Sequence, residues 1–256
     1  MNLKSKLLLA LLATSSAAFA QTAPAAAAPE VTYNVGVVSQ YRYRGLAQTK
    51  GDAALQGGVD YANANGFYAG AWGSSIKWIK DSAVNAGETK GSVELDLYGG
   101  YKFEAAGVAY DVGFLRYEYL NNTLKNSTAG YGNANTNEVY GAATYSVATL
   151  KYSNSLTNLF GNLNSKHSTY WDLSATFDLG NGYTLVPHIG RQVVKNSDAL
   201  SYTDKALTLN KDLGDGLSAS ISAITNSGKG QSAFASYLTN YDAAKDALVV
   251  GVKYSF

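Results

Sequence analysis

The sequence predicts an all-β fold, a transmembrane up-and-down antiparallel β-barrel of about 12 strands. Three observations predict it. Apolar and polar residues alternate with period two through most of the chain, long connectors take turns with short ones, and the last alternating segment stops on Phe256.

Alternation is the strand signal, because successive side chains of a strand point to opposite faces. Over 31–43, Val31, Tyr33, Val35, Val37, Tyr41 and Tyr43 share one face, with Thr32, Asn34, Gln40, Arg42 and Arg44 on the other. Over 91–103, Val93, Leu95, Leu97, Tyr101 and Phe103 oppose Ser92, Glu94, Asp96, Gly100 and Lys102. Over 169–179, Trp171, Leu173, Ala175, Phe177 and Leu179 oppose Tyr170, Asp172, Ser174, Thr176 and Asp178. Weaker alternation marks 53–62, 66–78, 108–120, 137–147, 149–156, 183–194, 202–212, 216–225 and 246–256. In 108–120 the apolar set slips by one residue between Phe114 and Tyr117, which predicts a β-bulge near Leu115.

The connectors give the topology. Six long ones, 45–52, 79–90, 121–137, 156–168, 195–201 and 226–245, alternate with tight turns at 63–66, 104–107, near Ala148, at 180–182 and at 213–216. Long outer loops, short periplasmic turns and an even strand number are the layout of an outer-membrane barrel. A soluble β-sandwich alternates too, but its Greek-key connections lack this rhythm.

At the end of the chain, Leu248, Val250, Val252, Tyr254 and Phe256 alternate up to a terminal aromatic, which resembles the signal that outer-membrane barrels present to their insertion machinery. Composition agrees: 15% charged residues is low, as a lipid-facing surface requires, and 20 Tyr suit aromatic girdles at the two membrane interfaces.

Residues 1–20 read as a secretory signal peptide: Lys4 and Lys6, an apolar run from Leu7 to Ala13, and Ala18-Phe19-Ala20 before Gln21. Its removal turns a net charge of +1 into −1, since two Lys and no acid leave with it. Residues 21–30 are an Ala/Pro-rich lead-in, and 31–256 form the barrel. Without Cys there is no disulfide framework, thiolate metal site or lipidated cysteine, and without a basic patch no nucleic-acid partner is expected.

Three segments carry a family resemblance. Arg44-Gly45-Leu46-Ala47-Gln48-Thr49-Lys50-Gly51 continues through Leu55–Tyr61 to Gly66–Ser74; Glu94-Leu95-Asp96-Leu97-Tyr98-Gly99-Gly100-Tyr101 follows; Tyr202-Thr203-Asp204 and Lys211-Asp212-Leu213-Gly214 come later. Together they resemble the TorF family of porins. One departure is Ala53, where such sequences often carry Pro. The resemblance implies an outer-membrane barrel of Gram-negative bacteria and supplies no substrate or site residue.

No phosphate loop, dinucleotide fingerprint, HExxH or GxSxG occurs, so no enzyme and no cofactor is expected. His167 falls in a loop and His188 in a strand, on the face of Thr184 and Gln192, hence in the lumen. The polar-face charges are the pore-lining candidates: Arg42, Arg44, Asp60, Glu94, Asp96, Lys102, Arg116, Glu118, Asp172, Asp178, Asp204 and Lys253, with His188 beside them. Both signs are present, so ion preference stays open. Glu94 and Asp96 stand about 7 Å apart on one face, a spacing that suits a cation, or pairing to Lys102, Arg42 or Arg44.

These readings predict a passive diffusion channel for small hydrophilic solutes or ions in the outer membrane, as a monomer or a homo-oligomer, with lipid and lipopolysaccharide around it. The alternative is a closed structural or adhesive barrel acting through its outer loops. Twelve strands lie between the filled interior of eight and the aqueous channel of sixteen. A narrow conduit, or one partly closed by Arg/carboxylate pairs and an inward-folded loop, follows, with 121–137 and 226–245 the long loops available to constrict it.

Overall fold

The computed structural model describes residues 30–82, 90–126, 130–231, 233 and 240–256. The expected signal peptide and nearly all of the lead-in lie outside the described residues. Twelve antiparallel strands close a barrel: β1 Glu30–Val38, β2 Ala54–Ala62, β3 Phe67–Ser75, β4 Val93–Ala105, β5 Val108–Tyr119, β6 Thr136–Tyr145, β7 Ala148–Ser155, β8 Thr169–Ala175 continued as Phe177–Gly180, β9 Tyr183–Val193, β10 Tyr202–Gly214, β11 Leu217–Asn226 and β12 Ala247–Ser255. Each strand pairs with its neighbours in sequence, and β1 pairs with β12, Val35 opposite Tyr254, which closes the ring and leaves no edge.

The outer wall follows from the alternation. Val31, Tyr33, Val35 and Val37 on β1, Leu97 and Tyr101 on β4, and Leu248, Val250 and Val252 on β12 are all exposed on the barrel's outside. Around the tight-turn end, aromatic rings form a girdle: Tyr33 stacks on Phe256 at 5.7 Å, Phe67 tilts against Tyr101 at 4.8 Å, and Phe103 stacks on Tyr110 at 5.0 Å. The chain's final residue is thus part of that girdle. At the long-loop end the outward pair is Tyr152 and Trp171, at 4.6 Å.

Tight turns close the end of the barrel that holds both termini of the barrel chain. At Asp215-Gly216 both residues have positive φ, 49° and 80°, as a two-residue hairpin with right-twisted strands requires, and a Cβ on Gly216 would sit 2.1 Å from the Ser255 carbonyl oxygen.

Two sequence expectations fail here. No bulge occurs at Leu115: β5 pairs in unbroken register with β4 and β6 on both sides of it. Leu115, Tyr117 and Tyr119 simply point inward, where the lumen has an apolar lining to meet them. The first strand, likewise, ends at Val38 rather than Tyr43. Beyond it the chain turns into the barrel and forms a short inner hairpin, Arg42–Tyr43 paired with Leu46–Ala47, so Tyr41 and Tyr43 are buried and not lipid-facing.

The girdle account of tyrosine also needs correction. Tyr41, Tyr43, Tyr68, Tyr98, Tyr117, Tyr119, Tyr140, Tyr170 and Tyr202 turn inward, and glycines on adjoining strands make room for several of these rings. Gly70 lies opposite Tyr98, Gly100 opposite Tyr68 and Gly113 opposite Tyr140. A Cβ on Gly70 would stand 2.5 Å from the Tyr98 ring, so the ring lies across the glycine and covers it. The high Gly and Tyr contents are two halves of one packing device.

Candidate functional site: the barrel interior

The interior divides into a packed apolar half near the long loops and a more polar half near the tight turns. In the packed half, Val38, Tyr41, Tyr43, Leu46, Trp78, Tyr117, Tyr119, Leu124 and Ala244 belong to one buried apolar cluster built from strand walls and loops. The chain's main buried core therefore sits inside the mouth of the barrel. The first loop, 39–53, supplies the filling, while the described parts of 121–137 and 226–245 add Leu124, Ala134, Ala243 and Ala244 against it.

Local chemistry explains the hairpin. Arg44 and Gly45 form its two-residue tip with φ of 46° and 74°, a primed turn that matches strand twist. Glycine is required there also for space, since a Cβ on Gly45 would lie 2.5 Å from that of Asp204.

Two arginines then fasten the hairpin at opposite ends. Arg42 donates from Nη1 to the carbonyls of Ala243 at 2.9 Å, Lys245 at 2.8 Å and Gly45 at 3.3 Å, which ties the hairpin to the last loop. Arg44 reaches the far wall: Nη1 and Nη2 meet Glu138 Oε1 and Oε2 at 3.0 and 2.7 Å, and Nη1 also donates to Gln192 Oε1 at 2.9 Å. Its guanidinium lies over the Tyr170 ring at 4.3 Å. A fork meeting a carboxylate through two bonds is directional as well as attractive, so the tip is held in one place.

The other charges fall into three groups. On the hairpin's side, Glu94 Oε1 accepts from the Tyr41 hydroxyl at 2.9 Å, and Asp96 is buried one residue pair further along β4. Across the lumen, His188 Nε2 approaches Asp172 at 3.0 Å and its Nδ1 lies 3.6 Å from Asp204, which also accepts from Tyr170 at 3.0 Å. Toward the tight-turn end, Tyr98 donates to Asp60, Tyr68 donates to Asp111 at 2.6 Å, and Tyr68 and Tyr140 are hydrogen-bonded. Lys102 sits over Tyr68 at 4.9 Å and Lys151 over Tyr140 at 3.9 Å, while Lys253 points inward between Gly36 and Ser218.

Of the sequence candidates, Arg42, Arg44, Asp60, Glu94, Asp96, Lys102, Asp172, His188, Asp204 and Lys253 thus point into the interior. Three do not line it. Arg116 and Glu118 face outward at the outer end of β5, paired to each other at 2.5 Å. With no bulge at Leu115, they keep the parity of the lipid-facing Val112 and Phe114. Asp178 sits exposed at the tight-turn rim, where its Oδ1 accepts from the Gly180 amide at 2.8 Å and caps the tight turn. His167 is in a loop, as expected, with Nδ1 3.2 Å from Asn154. The sequence reading missed Asp111, Glu138 and Lys151, and it set Gln192 on the lumen face without giving it a partner. Parity alone would have found Asp111, which alternates with Tyr110 and Val112.

A closed barrel of twelve antiparallel strands, apolar outside and charged within, is a porin-like transmembrane architecture. The chain belongs to the Gcw_chp family, described as bacterial proteins of unknown function, whose model matches residues 22–256. Its fold is similar to that of the KdgM porin solved in complex with disordered oligogalacturonate, at TM-score 0.52 and 10% identity over 88% of this chain and 98% of that one. It is similar also to the NanC porin, at TM-score 0.53 and 11% identity over 88% and 99% of the two chains. At these identities the likeness is one of fold. No curated protein matches the chain in sequence.

Proposed function

We propose that this protein is a narrow diffusion channel of the bacterial outer membrane, passing small hydrophilic solutes or ions down their own gradients. The observation that carries the reading is the polarity of the interior: charged and hydroxyl side chains from β2 through β12 face a lumen whose outside is apolar. Such a wall substitutes for water along a solute's path. The porin fold and the TorF resemblance point the same way. Catalysis forms no part of the reading, in which His188, Asp172, Asp204 and the Tyr170 hydroxyl serve as a hydrogen-bonded patch of the barrel wall. Lipid, lipopolysaccharide and, during biogenesis, the barrel-insertion machinery are the partners this reading implies, as a monomer or a homo-oligomer.

The constriction is the inner hairpin, pinned by Arg44 to Glu138 and by Arg42 to the last loop. A path past it is narrow, which suits ions and small solutes rather than large oligosaccharides. One observation favours a second reading: the outer mouth is packed with buried Tyr, Trp and Leu, as in a closed barrel that acts through its loops. Planar-bilayer recording of the purified, folded protein separates the two. Reproducible conductance steps support the channel. Their absence from protein that is folded and heat-modifiable overturns it.

A further inference from the structure

We infer that Glu94 and Asp96 form a binding site for a hard divalent cation of the calcium type, set between the barrel wall and the inner hairpin. The first observation is an unanswered charge. Both Asp96 carboxylate oxygens and Glu94 Oε2 are buried with no hydrogen-bond partner among the described residues. Both side chains are about as buried as any in the molecule, each 1% exposed. A carboxylate desolvated this completely either takes up a proton or is met by a counter-charge, and two on one face favour a shared cation.

The protein's own cations are committed elsewhere. Arg44 spends its fork on Glu138, Arg42 is held by loop carbonyls, and no ion pair of Glu94 or Asp96 forms among the described residues. Glu138 lies within electrostatic reach of Asp96 as well, and Arg44 is already committed to it.

The second observation is the donor set. Beside Glu94 stand phenol oxygens: Tyr41 from the hairpin, which donates to it, and Tyr119, its cross-strand partner, while Tyr117, the cross-strand partner of Asp96, turns its hydroxyl to Tyr43 and Glu138. No thiolate or imidazole is among them, so the site is all-oxygen, which selects calcium-like over zinc-like ions. No three His, Asp or Glu side chains cluster as a metal site among the described residues. The site therefore consists of two carboxylates with phenol and water oxygens, a shell that calcium's irregular coordination accepts and magnesium's strict octahedron does not. The inference does not depend on whether the barrel conducts.

Terbium is the probe, since the adjacent tyrosines would sensitise its emission. The full mature barrel, folded in lipopolysaccharide-free detergent, is titrated with Tb³⁺ and then with Ca²⁺. The expected result is saturable emission at one ion per chain, displaced by Ca²⁺, with affinity at least tenfold weaker in Glu94→Gln and in Asp96→Asn and unchanged in Asp60→Asn. Absence of saturable emission, or equal affinity in the wild type and both site variants, overturns the site. Should the site variants fail to fold, wild-type unfolding in urea decides: a midpoint raised by millimolar Ca²⁺ over chelator supports the site, and an unmoved midpoint overturns it.

Discussion

Arg44 and Glu138, 94 residues apart in sequence, meet through two parallel hydrogen bonds of 3.0 and 2.7 Å inside the barrel, both side chains almost fully buried. The pair joins the tip of the first loop to strand β6 and so sets where the hairpin sits in the lumen. Removing one partner leaves the other charge buried and alone. Glu138→Ala is expected to lower stability by about 3–5 kcal/mol, whereas Arg44→Met with Glu138→Leu should cost far less. Urea unfolding of the detergent-folded barrel, followed by tryptophan fluorescence, checks this. A double variant no more stable than Glu138→Ala alone would show that the single loss does not come from stranding a buried charge.

The Gly70–Tyr98 contact predicts a coupling of a different kind. Gly70→Val drives new methyl groups into the Tyr98 ring and is expected to cost about 1–3 kcal/mol by overpacking. In a Tyr98→Ala background the same change should be nearly free. A double-mutant cycle on unfolding midpoints measures the difference, and additive effects would contradict the packing.

Lipid contact is tested by charge at two depths. Val112→Arg, midway along β5, is expected to destabilise by about 2–4 kcal/mol in bilayers, while Leu213→Arg, near the tight-turn rim, should cost about 0–1 kcal/mol. Folding into vesicles from urea is the measurement. Equal costs would place the belt elsewhere.

Two exposed ion pairs brace the long loops, one between the first two and one within the last, and set a pH dependence. Lys77 bonds to Asp52, and Lys229 to Asp246 at 2.6 Å. Lys77 holds the Asp52 carboxyl below its ordinary value, and Asp52 in turn raises the Lys77 ammonium. Lys229, with the Thr225 hydroxyl, likewise lowers Asp246. A depressed carboxyl contributes fully above the ordinary carboxylate value near ~4, and the contribution is lost as pH falls through the lower folded value. For Lys77 the sense reverses: its share is present below about 10.4 and lost as pH rises through its raised value. Amide exchange in loops 39–53 and 227–246 is therefore expected to quicken, after correction for intrinsic rates, as pH falls below about 4, and less so in high salt. Corrected rates that do not change between pH 6 and pH 3 would contradict the ties.

Most of the barrel was legible because lipid on one side and polar lumen on the other impose a two-residue period, and the alternating connectors then order the strands. The period fails where the outside is no longer lipid or the inside no longer polar. At the outer ends of β1 and β5 the lumen is filled by the hairpin, so Tyr41, Tyr43, Leu115, Tyr117 and Tyr119 face inward and Arg116 and Glu118 face out. Reading those tyrosines as lipid-facing forced the bulge at Leu115. The hairpin itself left one trace, Arg44-Gly45, a turn pair hidden within an apparent strand. What parity cannot reveal is pairing: that Arg44 chooses Glu138 over Glu94 or Asp96 depends on strand register across the lumen.

If the first loop constricts a polar channel, as proposed, conductance depends on it. Single-channel conductance in planar bilayers tests it most directly, comparing the wild type with a chain in which residues 41–52 are replaced by a short Gly-Ser linker and heat-modifiability confirms folding. Small, reproducible steps are expected for the wild type and steps several-fold larger for the variant. Equal conductance in the two, or no conductance in either, would contradict it.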